Sequence, residues 1–95
     1  METKEILNAR GKTYGQYCNV SKVSQDIKTI LRNTPNYYQM PPPMQESLDM
    51  IANKISRIVN GNALYDDSWR DIAGYATLVL MEIEEMEKHD APDTP

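Results

Sequence analysis

The chain has 95 residues, 40% hydrophobic and 25% charged, a size and balance that fit one small core and exclude both a disordered chain and two independent domains. Its formal net charge of -4 argues against non-specific attraction to nucleic acid, whose phosphates require a basic face. Cys18 is the only cysteine, which excludes an intramolecular disulfide or a cysteine metal cluster, and no apolar run approaches the ~18 residues of a membrane span.

Residues 1–10 lack the apolar centre of a secretory signal, so the expected setting is a reducing cytoplasm. The first helix is expected over 3–10, with Thr3 as its N-cap, Ile6 and Leu7 as apolar contacts, and Gly11 as a left-handed C-terminal cap. Residues 10–17 then form a loop of glycines, cations, a threonine and two tyrosines, the densest group of non-core chemistry in the chain. A second helix over 19–32, capped by Asn19, gathers Val20, Val23, Ile27, Ile30 and Leu31 on one face. Asn33-Thr34-Pro35-Asn36 stops it, because proline disfavours helical geometry in the residue before it. The connector through Tyr37, Tyr38 and the triple proline reads as a stiff irregular loop that delivers Pro43 to the first turn of a third helix, in preference to a polyproline ligand for an aromatic groove.

That third helix and the fourth organise the chain. Met44, Leu48, Ile51, Ala52, Ile55, Ile58 and Val59 recur at steps of three and four until Asn60-Gly61-Asn62 stops them. Trp69, Ile72, Ala73, Ala76, Val79, Leu80, Ile83 and Met86 repeat the pattern, with Ser68 and Asp71 spaced as a capping box. Two such helices joined by about seven residues fold back antiparallel. The class is therefore all-α: one domain of about four helices built on a long helical hairpin. Its core covers about 3–88 and an acidic tail covers 89–95, and the apolar surface left by one small core leads to an expected homo-oligomer, a dimer in the simplest case.

The non-core residues suggest phosphate chemistry. Glycines beside Arg10 and Lys12 can free backbone amides for an anion, although no strand precedes them as a Walker loop needs. The purely structural alternative makes Gly11 a cap and Tyr14 a core plug. Lys54 and Arg57 at the end of the third helix face Asp67 and Asp71 at the start of the fourth, an arrangement that either pairs charges across the hairpin or frames a pocket. Oxygen ligands from Asp49, Asp67 and Asp71 would suit Mg²⁺. Trp69 is placed in the hairpin core, with base stacking as its alternative role. Cys18 is read as a small buried residue, and His89, with no second histidine, as a surface residue.

The run from Ile6 to Gly15 (ILNARGKTYG), the run from Ser47 to Gly61 (SLDMIANKISRIVNG) and the run from Asp67 to Ala76 (DSWRDIAGYA) together resemble a small family of phage and prophage proteins of unknown function. More distantly, their order resembles nucleotide-modification-associated helical domains and MazG-like all-α nucleotide pyrophosphohydrolases. Those hydrolases hold Mg²⁺ with Glu-x-x-Glu and Glu-x-x-Asp on two helices. The resemblance maps the first pair to Glu46 and Asp49 and the second to Ser68 and Asp71, with Ser68 in place of a carboxylate.

The functional expectation is a phage-type accessory protein that binds a nucleotide or another phosphorylated small molecule. Arg10, Lys12, Lys54 and Arg57 would hold phosphate, Tyr14 or Trp69 would stack, and Asp49, Asp67 and Asp71 would hold Mg²⁺ or order the cations. An enzyme of this kind would be a Mg²⁺-dependent nucleotide phosphohydrolase. The alternative is a noncatalytic module that binds a host protein through the acidic fourth helix and the 37–44 loop. Direct DNA binding is the weakest reading, because the second helix offers phosphate only Lys22, Lys28 and Arg32.

Overall fold

A computed structural model describes residues 2–90, and every structural statement below concerns those residues. Four helices follow in order, α1 (Thr3–Tyr14), α2 (Tyr17–Arg32), α3 (Pro42–Asn60) and α4 (Asp66–Asp90), with a single 3₁₀ turn at Tyr37–Gln39 and no strand. The all-α expectation holds, and α3 and α4 form the expected antiparallel hairpin. No helix is long and apolar enough to cross a membrane.

α3 is the central element. α2 packs along one of its flanks and α4 along the other, while α1 touches its far end, so α2, α3 and α4 lie side by side with α3 in the middle. Its extents are 63 × 28 × 23 Å and its radius of gyration is 17.2 Å, against roughly 12 Å for a globular chain of this length. Such a layer has little interior. Val20, Tyr37 and Ala52 are its buried apolar residues, and the buried polar set of Ser24, Ser47, Lys54, Ser56 and Ser68 is larger.

Small residues make the α2–α3 crossing close. Ala52 and Ser56 of α3 oppose Val20 and Ser24 of α2, and the Ser56 hydroxyl donates to the Val20 carbonyl at 2.6 Å. Asn60 Nδ2 in turn donates to both the Ser56 carbonyl and its hydroxyl. The other end of the crossing is closed by Asp49, which accepts from the Tyr37 hydroxyl at 2.8 Å and from Arg32 Nη2 at 3.3 Å. One carboxylate thus ties the end of α2, the 3₁₀ turn and α3 together.

Several boundaries differ from expectation. α1 runs through Gly11 to Tyr14, and Thr3 is its first residue without a side-chain cap. Gly15 ends it instead, at φ 93 and ψ 170, a region essentially reserved for glycine. α2 begins at Tyr17, two residues before Asn19, so the supposed loop over 10–17 is mostly helix. Helix α3 begins at Pro42, the 37–39 stretch coils into a 3₁₀ turn, and α4 extends to Asp90 with His89 still helical. The remaining tail, 91–95, lies outside the described residues. Cys18 and Trp69, expected inside, are exposed.

Candidate functional site

α1 docks through two glycines. Gly15 lies so close to α3 that a Cβ there would sit 2.5 Å from the Asn60 carbonyl oxygen, and a Cβ on Gly61 would overlap the Thr13 carbonyl and the Tyr14 backbone. The Asn62 amide donates to the Thr13 carbonyl at 2.8 Å, fixing the two chain reversals side by side. This contact carries Tyr14 onto the end of the α3–α4 hairpin. Its hydroxyl donates to Asp67 Oδ2 at 3.3 Å, and its ring meets Tyr65 edge-on with centroids 5.8 Å apart.

Two guanidinium groups then converge on the same ring. Arg10 Cζ lies 5.0 Å and Arg57 Cζ 4.8 Å from the Tyr14 centroid, within cation–π range. Tyr14 therefore acts as a spacer that holds two like charges near each other. Burial raises its pKa above the usual 10, and the negative charges that Tyr65 and Asp67 can carry add to the shift.

The two arginines open into a cleft of about 570 Å³ between α1, α2 and α3, a size suited to a small organic ligand. α2 contributes Tyr17, Ser21, Ser24 and Lys28 to its wall, spaced i, i+4, i+7 and i+11 along one stripe, and α3 contributes Asn53 and Arg57. No acidic side chain lines it. Arg10, Lys28 and Arg57 form no ion pair among the described residues. The Ser24 hydroxyl, in a residue only 2% exposed, has no hydrogen-bond partner, the one such buried side-chain atom among the described residues. A buried unpaired hydroxyl costs the fold about 1–3 kcal/mol.

Only part of the expected ligand set is gathered here. Arg10, Tyr14 and Arg57 come together; Lys12 is exposed and does not line the cleft. Lys54 is on another side of α3, 8% exposed, where its ammonium pairs with Asp71 Oδ2 at 3.2 Å. The expected charge pairing across the hairpin is therefore present at Lys54, and Arg57 reaches Asp67 only through Tyr14. Trp69 donates its indole N–H to the Ala63 carbonyl and is far from any stacking role in this cleft. Tyr14 cannot stack a base either, since arginines and Tyr65 occupy its surroundings. Tyr17, 84% exposed at the rim, is the aromatic ring available to a ligand.

The three aspartates expected to hold Mg²⁺ have separate partners: Asp49 binds Arg32 and Tyr37, Asp67 binds Tyr14, and Asp71 binds Lys54. No group of three acidic, histidine or cysteine side chains among the described residues is disposed to hold a metal ion. The residues of one chain thus do not fit Mg²⁺. No known protein family, characterised protein or solved structure matches this chain.

Proposed function

We propose that this protein is an accessory binding protein for a phosphorylated small molecule, with a nucleotide as the favoured class. The observation that supports it most is a cleft walled by three cations without acidic partners and one orphaned serine hydroxyl, in a chain whose overall charge is negative. Retaining unpaired cations together costs electrostatic energy in the free protein. An anion that bridges them removes that cost and gains charge-assisted hydrogen bonds.

In this reading Arg10 and Arg57 clamp the phosphate from opposite helices, Lys28 neutralises its outer charge, and Ser24 donates from the floor. Tyr17 lies along the rim where a base or another flat group would rest. Hydrolysis is not part of the proposal, because the carboxylates that would serve a metal are committed elsewhere.

Calorimetric titration with pyrophosphate and with nucleoside di- and triphosphates tests this reading. Binding is expected, and Arg57→Ala should weaken it by ~10-fold or more, the loss of one charged hydrogen bond of about 1.5–3 kcal/mol. The absence of both heat and any rise in melting temperature at millimolar ligand would overturn it.

A further inference from the structure

α3 has a different neighbour on each of three sides. Ser56 meets α2, Lys54 meets α4, and Asn53 and Arg57 meet the cleft. The fourth side carries Ile55 and Val59, and these are 39% and 67% exposed. Extending the helical phase to the antiparallel neighbours places Ile30 of α2, and Trp69, Ala76 and Leu80 of α4, on the same side of the layer. Ile30, Trp69 and Leu80 are each more than half exposed. The cleft side carries Arg10, Lys28 and Arg57 among exposed Leu7 and Tyr17, whereas the exposed residues of α3 and of α4 from Trp69 to Leu80 on the other side are apolar.

We propose that a second copy of this chain covers the apolar side, pairing two layers back to back about a twofold axis and leaving both clefts facing outward. Helices bury their apolar stripes against a facing layer, and on this side of α3 no element of the described residues covers Ile55 or Val59. The size of the face is right for such a contact. A 19-residue α3 spans ~28 Å, and three helices side by side span ~25 Å, so the face offers roughly 700 Å². One partner of a standard stable interface contributes ~800 Å². Its charge is compatible as well: α4 has no charged residue on this side from Trp69 to Leu80, and the acid that shares the Ile30 stripe of α2, Asp26, is paired with Lys22 at 2.7 Å. α1 is not available to cover it, being docked on the cleft side.

Trp69 is the only tryptophan and lies on the proposed seam, so assembly can be followed without a label. Sedimentation velocity and light scattering across a dilution series should give about twice the 10.9 kDa chain mass at high concentration, with the Trp69 emission moving to the red as the pair dissociates. The double substitution Val59→Asp and Leu80→Asp should give a one-chain mass with helical circular dichroism retained, because both side chains are exposed in the single chain. Tyr17→Ser, on the opposite side, should leave the pair intact. A wild-type chain of one-chain mass at every concentration overturns the proposal. So does any assembly that survives the double substitution, or whose dissociation leaves the tryptophan emission unchanged. The inference is independent of the cleft's ligand.

Discussion

The unpartnered Ser24 hydroxyl is a cost to the free fold. It is buried at the cleft floor without a hydrogen-bond partner, so Ser24→Ala should raise the melting temperature of the ligand-free protein, and under the proposed function it should also weaken phosphate binding. Opposite signs in calorimetric melting and titration would distinguish a ligand-directed hydroxyl from a packing residue; equal signs would refute the role. Tyr37 acts in the other direction. Burial and its bond to Asp49 raise its pKa above the usual 10, with Arg32 opposing. The folded state therefore holds this proton more tightly than the unfolded chain, so the associated stability is complete below pH ~10 and is lost as pH rises through the folded value. Melting temperature should fall above pH ~10, and Tyr37→Phe should flatten that fall while lowering stability at neutral pH through the lost bond to Asp49. Urea unfolding of both proteins at neutral and alkaline pH checks it. Lys54 illustrates a third balance, a nearly buried ammonium made tolerable by Asp71.

At the scale of elements, the attachment of α1 is the weakest joint. The helix buries no residue of its own, and it is held by backbone approach at Gly15 and Gly61 and by Tyr14. Gly61→Ala should free it, lowering helical circular dichroism and weakening ligand binding together, because Arg10 reaches the cleft only on a docked α1. Retained binding with full helicity would show that the contact is softer than its geometry. The hairpin could be read from sequence because α3 and α4 repeat their apolar residues at helical spacing and are bounded by Gly61 and Asn62. The end of α1 could not. Gly11 in mid-helix costs about 1 kcal/mol in propensity, and docking on α3, a long-range contact, outweighs it. Half of the site was similarly hidden. Arg10, Tyr14 and Arg57 stood out as charge and ring beside glycines, whereas the Tyr17-Ser21-Ser24-Lys28 stripe has the look of an ordinary solvated helix face. Only the position of α1 turns that face into a wall.

The whole molecule explains the remaining misplacements. Trp69 and Cys18 are expected inside because a globular domain has an inside for them, but three helices side by side offer little interior beyond the two seams of α3. The aspartates were grouped by sequence spacing, while the layer distributes them to separate joints: one closes the α2–α3 end, one receives Tyr14, and one neutralises Lys54. The side-by-side arrangement separates the cleft from the Ile55 and Val59 side of α3, so substitutions on the two share few neighbours. Their energetic effects should therefore combine almost independently.

The four-way duty of α3 also constrains how this gene can change length. Each successive residue turns by about 100°, so Asn53, Lys54, Ile55 and Ser56 look in four directions within little more than one turn. Inserting a single codon ahead of them would hand each task to a side chain of the wrong character, placing lysine where isoleucine belongs and isoleucine where serine belongs. Conservative exchanges can accumulate along this helix, but its reading frame of orientation is fixed.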